Sequence, residues 1–223
     1  MSTKIYCVRH AEAMGNVNEF FQGRTDTDIS PKGEKQLARL AERLKDIDFD
    51  VIYSSPLKRT RATAAAVNKY HSADIIIDDR LIEINGGVWE GVEWADIPAL
   101  YPEEYKLWTD KMEDFHIKDG EAMTEVYARM SAAVDDIAAK NPGKTVVVVS
   151  HGCALRNYLC YANGDSIDKL ADVGWSDNTA VSCVEYDDNG QKRLIFKNDS
   201  SHLPEELSTL RTSKWCRYED KKD

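Results

Sequence analysis

Three short apolar runs, each followed by basic side chains, constrain the fold of this chain more than any other feature. The runs lead from Ile5–Val8 into Arg9-His10, from Val51–Tyr53 toward Arg59, and from Val146–Val149 into Ser150-His151. The four consecutive valines are apolar on both strand faces, which is typical of a central strand in a parallel sheet. Because the carboxyl ends of parallel strands lie along one edge, we expect these distant basic residues to converge there.

Helix signals alternate with these strand signals. Ser30-Pro31 matches an N-cap followed by proline, and apolar residues at helical spacing follow it, so a helix is predicted to begin there. Ser55-Pro56 repeats this signature and predicts a helix from Pro56 through about Tyr70. Arg59 is then expected at the fourth helical residue, near the positive end of the helix dipole.

Two further segments complete the predicted sheet. Ile75–Ile77 is apolar and β-branched, which predicts a third strand. Asp187–Gly190 lies between two strand-like segments and indicates a hairpin at the end of the sheet. The alternation of strands and helices therefore predicts the α/β class, as a three-layer α/β/α sandwich with a mainly parallel central sheet.

The length of 223 residues sets the expected domain organisation. It suits one hydrophobic core, so we predict a single domain over residues 1–210. The alternation is lost in a segment rich in aromatic and acidic residues, which predicts a helical insertion at about 92–120. Residues 211–223 are expected to form a charged C-terminal tail.

Charge and cysteine content exclude several classes of partner. The net charge of −10 disfavours nucleic acid and anionic membranes. The five cysteines include no CxxC pair, so no metal site is expected from them. No apolar stretch matches a secretory signal or a membrane span, and a cytoplasmic protein is predicted. A homodimer is left open.

The basic cluster itself points to an anionic ligand. Two imidazoles and two guanidiniums at one sheet edge repel one another unless an anion lies among them, and a phosphoryl group fits. A neutral His10 could attack phosphorus if its other ring nitrogen donates to a fixed acceptor. For His10 alone, a solvent-facing histidine is the simpler interpretation. Arg59 favours phosphate, because its guanidinium offers two parallel donors and would complete a clamp with Arg9.

Four motifs, in order along the chain, resemble the signatures of the histidine phosphatase superfamily, also called the phosphoglycerate mutase-like fold. They are Arg9-His10-Ala11 with Glu12 and Asn16, the segment Ser55–Ala64 with Arg59, the segment Leu81–Gly91, and Ser150-His151-Gly152. The resemblance extends to roughly Glu185. Ala11 departs from the family pattern, which has glycine at this position.

The resemblance implies a set of site residues and no cofactor. The implied catalytic residues are Arg9, His10, Arg59, Glu83 and His151, with His10 as the nucleophile and Glu83 as the proton donor. The implied substrate-binding residues are Glu12, Asn16, Gln22 and Gly23. Glu12 and Glu90 are the local rivals of Glu83 for the role of acid, and both could instead be structural.

The resemblance implies a histidine acid phosphatase-type phosphomonoesterase that acts through a phosphohistidine on a small phosphorylated metabolite. A cofactor-dependent phosphoglycerate mutase and a catalytically silent phosphate-binding module are the alternatives. Residues 92–119 contain eight acids against three lysines, which is poorly suited to a doubly anionic substrate and favours hydrolysis. Aromatic residues in this segment, including Tyr101, Tyr105 and Trp108, could form a lid, but their helical spacing favours core packing. Sugar phosphates, nucleotides, alpha-ribazole phosphate and phosphoproteins all remain open as substrates.

Overall fold

A six-stranded sheet with helices on both faces forms the centre of the molecule. The computed structural model describes residues 2–212. The strands are β1 (Thr3–Arg9), β2 (Val51–Ser54), β3 (Asp74–Ile77), β4 (Thr145–Ser150), β5 (Val181–Tyr186) and β6 (Lys192–Asp199). In the sheet order β3-β2-β4-β1-β5-β6, the first four strands are parallel, β5 pairs antiparallel with β1, and β6 pairs antiparallel with β5. The predicted mainly parallel sheet with a terminal hairpin is confirmed.

Two helical layers cover the sheet. The helices are α1 (Met14–Val17), α2 (Pro31–Leu44), α3 (Lys58–Val67), α4 (Ile97–Leu100), α5 (Pro102–Asp110), α6 (Met123–Lys140), α7 (Gly152–Ala162) and α8 (Thr209–Thr212). Apolar residues of α2 and α3 pack on one sheet face, and those of α6 and α7 pack on the other. The three-layer α/β/α sandwich is therefore present.

The valine run of β4 lies at the centre of this sandwich. All four valines are fully buried, and β4 pairs in parallel with β1 on one side and β2 on the other. Val147 and Val149 face the layer of α2 and α3, whereas Val146 and Val148 face the layer of α6 and α7. Successive strand residues point to opposite faces, so a strand covered on both faces must be apolar throughout.

The predicted start of α2 is confirmed, but that of α3 is wrong. Ser30 Oγ accepts a hydrogen bond from Gly33 N at 2.9 Å, and Pro31 is the first helical residue. In contrast, α3 begins at Lys58, two residues later than predicted, so Arg59 is its second residue. Ser55 does not cap the helix, because its hydroxyl is hydrogen-bonded to His151 instead. Asp26 Oδ1 accepts from Lys58 N at 2.8 Å and satisfies the helix start.

The segment after residue 92 contains two short helices, α4 and α5. Trp108 and Phe115 are buried, with ring centroids 4.9 Å apart, and they join the core beneath α6 and α7. Tyr101 and Tyr105 are partly buried against the same core. The core interpretation of these aromatic residues is therefore confirmed. Tyr105 and Trp108 also line a cavity at the edge of this core.

Part of the predicted tail, residues 213–223, lies outside the described residues, as does Cys216. The remaining cysteines, Cys7, Cys153, Cys160 and Cys183, are buried free thiols. Within residues 2–212, no helix combines the length and the apolar character that a membrane crossing requires.

Candidate active site

The basic residues predicted to converge lie together at one edge of the sheet. Arg9 and Ser150 end neighbouring parallel strands and are paired in register, so the residues that follow them leave the sheet side by side. The ring centroids of His10 and His151 are 5.2 Å apart. Parallel pairing of β1 with β4 thus places two imidazoles from distant parts of the sequence close together.

The hydrogen bonding of His10 fixes its tautomer. Nδ1 lies 2.7 Å from the carbonyl oxygen of Ala11, which can only accept, so Nδ1 carries the proton. The Nε2 lone pair is then available for attack. Burial, and next the positive charges of Arg59 and Arg9, hold the pKa of His10 well below its ordinary value, so the ring is neutral. A neutral imidazole with a fixed tautomer is the state that a nucleophile requires.

Ala11, which stands where the family has glycine, leaves the cavity unobstructed. Its side chain is fully buried and does not line the cavity, and its amide donates to Thr63 Oγ1 at 3.0 Å. The extra methyl group therefore packs into the protein, while the Ala11 carbonyl orients the His10 ring.

His151 is held between two side chains. Arg59 Nε donates to Nδ1 at 3.2 Å, and Nε2 lies 2.7 Å from Ser55 Oγ. Because a guanidinium only donates, Nδ1 is unprotonated and Nε2 donates its proton to Ser55. Burial and the nearby positive charges lower the pKa of His151 well below its usual range. This ring is therefore also neutral before an anion binds.

Arg59 is fully buried and keeps its charge available for an anion. Its Nη1 donates to Thr25 O at 2.8 Å and its Nη2 to Gly23 O at 2.7 Å. Burial lowers the pKa of the guanidinium to about 10. Gly23 must be glycine, since a Cβ there would lie 2.2 Å from Ile84 O. Carbonyl groups orient Arg59 without neutralising it, as an anion site requires.

Glu83 lies at the amino end of α7. Its Oε1 accepts from Ile84 N and Ala154 N, both at 2.9 Å, and its Oε2 accepts from Cys153 N at 3.0 Å. Burial raises the pKa of this carboxyl, while the three amide bonds and Arg59 oppose that rise; the balance is a raised pKa. Glu83 can thus hold a proton beside His10, as a general acid must.

A cavity of about 170 Å³ opens at this cluster. Among the predicted site residues, its lining includes Arg9, His10, Asn16, Gln22 and Glu83. Arg59, His151 and Gly23 do not line it and belong to the buried cluster around His10. Arg9 and Gly152 are closely packed, because a Cβ on Gly152 would lie 3.2 Å from the Arg9 guanidinium carbon.

Glu12 differs from the other predicted binding residues in its position. Its carboxylate accepts from Ser30 Oγ at 2.7 Å and forms an ion pair with Lys32 at 3.1 Å, both at the start of α2. It does not line the cavity. Glu12 therefore anchors the His10 loop to α2, and it does not reach the cavity in which a substrate would bind.

Glu90, the other rival acid, anchors a loop. Its carboxylate accepts from the amides of Arg24 at 2.7 Å, Thr25 at 3.0 Å and Gly86 at 3.0 Å. It therefore fixes the segment whose carbonyl groups hold Arg59. These contacts give Glu90 a structural role, which is the alternative that the sequence allows for this residue.

Sequence reasoning missed a segment that positions the His10 loop. Asn178 Nδ2 donates to His10 O at 2.8 Å, and Thr179 N donates to Arg9 O at 3.1 Å. Thr179 has φ of 61°, an unusual conformation for a β-branched residue. Asp177 in turn accepts from Thr209 N at 2.8 Å. The run Ser176–Thr179 of turn-forming residues before β5 was the available signal.

The cluster has the chemistry of a phosphoryl-transfer site. It combines a neutral nucleophilic imidazole, a buried carboxyl of raised pKa and two guanidiniums at the carboxyl edge of an α/β sheet. Among residues 2–212, no group of three histidine, cysteine or acidic side chains is arranged to hold a metal ion.

Comparison with known proteins agrees with this class. The chain belongs to the histidine phosphatase superfamily (branch 1), whose sequence profile matches residues 5–199. It is 34% identical over 203 residues to phosphoserine phosphatase 1 of Hydrogenobacter thermophilus, covering 91% of this chain and 95% of that protein. It is 36% identical over 156 residues to a probable phosphoglycerate mutase of Escherichia coli, covering 68% and 71% of the two chains.

The fold is also shared with solved structures. Bacillus stearothermophilus YhfR superposes with a TM-score of 0.85 at 30% identity, covering 90% of this chain and 98% of that one. The recognised family resemblance and the phosphoglycerate mutase-like fold are therefore confirmed, and the relatives support a phosphatase.

Proposed function

We propose that this protein is a metal-independent phosphomonoester hydrolase that acts through a phosphohistidine at His10. The observation that carries the proposal is the 2.7 Å contact between His10 Nδ1 and Ala11 O, which leaves Nε2 as the unprotonated ring nitrogen. The ring is buried and neutral beside Arg9 and Arg59, so a phosphoryl group that binds these arginines meets a nucleophile in its reactive state.

Each step uses a group in the cluster. His10 Nε2 attacks phosphorus in line while Arg9 and Asn16, which line the cavity, hold the equatorial oxygens. The buried guanidinium of Arg59, hydrogen-bonded to His151, adds positive charge from behind the cavity wall. Glu83 gives its proton to the departing oxygen, because an alkoxide is a poor leaving group. The ionised Glu83 then takes a proton from water, which attacks the phosphohistidine and releases inorganic phosphate. The arginines supply the positive charge that a magnesium ion provides in other phosphoryl-transfer enzymes.

Phosphohistidine trapping tests this mechanism. The enzyme is mixed with a radiolabelled phosphomonoester in the presence of EDTA, and we expect label that is stable to base, labile to acid and located on His10. His10→Ala should abolish labelling and turnover. The matched control His116→Ala removes an exposed histidine and should retain both. Labelling that persists in His10→Ala would refute the proposal.

We propose a small phosphorylated metabolite as the substrate. The phosphoserine phosphatase activity of the Hydrogenobacter relative makes phosphoserine the first compound to assay. Turnover of p-nitrophenyl phosphate in EDTA separates a phosphatase from a catalytically silent phosphate-binding module. Exchange of phosphate between phosphoglycerates, without net release, would instead identify a mutase.

A further inference from the structure

Aromatic rings and one carboxylate line the part of the cavity that the proposed mechanism does not use. The rings are those of Phe20, Phe21, Trp94, Tyr105, Trp108 and Trp175. Trp108 and Trp175 are stacked, with centroids 6.1 Å apart and planes inclined by 22°. The carboxylate belongs to Glu19. This half of the cavity is where the alcohol portion of a phosphomonoester must lie when its phosphorus contacts His10.

Glu19 is held firmly at the cavity wall. Its carbonyl accepts from Trp94 N at 2.9 Å, and the adjacent Phe20 forms an antiparallel bridge with Glu93. Its backbone has φ of 53°, a conformation that few non-glycine residues adopt. The side chain is partly buried. The fold therefore places an acidic residue in the wall of the cavity that His10 also lines.

These groups determine which charge on the alcohol portion of a phosphomonoester is bound favourably. The faces of aromatic rings are electronegative and attract ammonium groups, and a carboxylate attracts the same groups more strongly. Among the described residues that line the cavity, Arg9 is the only cation, and it is placed beside the nucleophile, where it donates to Ser176 O. A carboxylate on the alcohol would be repelled by Glu19, whereas an ammonium would be stabilised.

We propose that the substrate is a phosphomonoester whose alcohol carries an ammonium group, primary or quaternary, which pairs with Glu19 among the aromatic rings. This inference rests on the phosphatase function proposed above and narrows its substrate class. Phosphoethanolamine and phosphocholine have this chemistry. Phosphoserine carries the ammonium together with an opposing carboxylate, so it is expected to be a poorer substrate than phosphoethanolamine.

Matched esters and a matched variant test the pairing. The assay compares kcat/KM for phosphocholine with that for its neutral isostere, in which carbon replaces nitrogen, and with that for phosphoglycolate. We expect phosphocholine to exceed the neutral ester by about tenfold, and phosphoglycolate to be the poorest. Glu19→Gln should remove the preference for phosphocholine, measured as the ratio of its kcat/KM to that of the neutral ester. Glu93→Gln, an exposed acid on the same bridge, should retain the preference.

The outcomes separate this inference from the proposed function. If phosphocholine and its neutral isostere are hydrolysed equally well, or if Glu19→Gln retains a preference for the cation, the inference is wrong while the phosphatase stands. If none of these esters nor p-nitrophenyl phosphate is hydrolysed, both proposals are wrong.

Discussion

At the scale of single residues, burial sets the protonation states that the chemistry needs. His10 is buried and lies near the charges of two guanidiniums, so its pKa is lowered. Glu83 is equally buried but is an acid, so the same loss of solvation raises its pKa. Desolvation disfavours the charged form of both groups, so it favours an unprotonated base and a protonated acid in one cavity. One physical cause thus acts on both members of the proposed catalytic pair.

The opposite shifts of these pKa values predict the pH profile. On acidification, kcat/KM should persist below the ordinary pKa of histidine, because His10 becomes protonated only at lower pH. On raising the pH, kcat/KM should fall as Glu83 loses its proton, and this happens above the ordinary pKa of a glutamic acid. An activity that declines on acidification through pH about 6.5 would contradict the state assigned to His10.

Glu83→Gln isolates the role of the acid. Glutamine keeps the shape and an acceptor oxygen but cannot donate a proton to an alkoxide. We expect kcat for an alkyl phosphate to fall about 100-fold or more. For p-nitrophenyl phosphate the loss should be much smaller, since nitrophenolate leaves without protonation. Equal losses on both substrates would mean that Glu83 only positions other groups, and Glu90→Gln serves as the comparison for such a positioning effect.

At the scale of elements, the sequence predicts what depends on local pattern and misses what depends on distant partners. The strand β4 and the helix α2 follow from hydrophobic period and a local cap, so both are recovered. The start of α3 is not, because Ser55 has two available partners, the helix amides and His151. The second lies 96 residues away and takes the hydroxyl. Asn178 and Thr179 were missed for the same reason, as their contacts with the His10 loop arise only in the folded sheet.

The observed start of α3 predicts that substitutions at Asp26, Asp28 and Ser55 have different effects on stability and activity. Asp26→Ala leaves the amide of Lys58 uncapped and should lower the free energy of unfolding by about 1 kcal/mol. Asp28→Ala, which removes only an exposed ion pair with Lys58, should change it by less than about 0.5 kcal/mol. Ser55→Ala should reduce kcat/KM by releasing His151, while the helix start remains capped. Denaturant unfolding measures the free energy of unfolding, and steady-state kinetics measure kcat/KM. If Ser55→Ala lowers the free energy of unfolding as much as Asp26→Ala does, Ser55 caps the helix as the sequence predicts.

At the scale of the whole molecule, the site brings basic residues from distant parts of the chain together at one edge of the sheet. Arg9 ends β1 and His10 follows it, Arg59 is the second residue of α3, and His151 lies between β4 and α7. The two guanidiniums are buried, so their mutual repulsion and lost solvation oppose folding. An anion that binds them all compensates this cost only in the folded state. Ligand binding should therefore stabilise the domain as a unit.

Inorganic phosphate, the reaction product, provides the measurement. At about 100 times its Kd, a ligand specific for the folded state adds about 2.7 kcal/mol of stability. For a domain of this size, that corresponds to a Tm increase of about 5–10 °C. Arg59→Met should lose most of this increase, because the proposed phosphate site depends on the positive charge of this buried guanidinium, whereas Arg61→Met removes an exposed charge two residues away and should keep it. Sodium chloride at equal ionic strength is the control for screening. A phosphate-dependent shift that survives in Arg59→Met would mean that the anion binds elsewhere, and that the buried cluster is not the phosphate site.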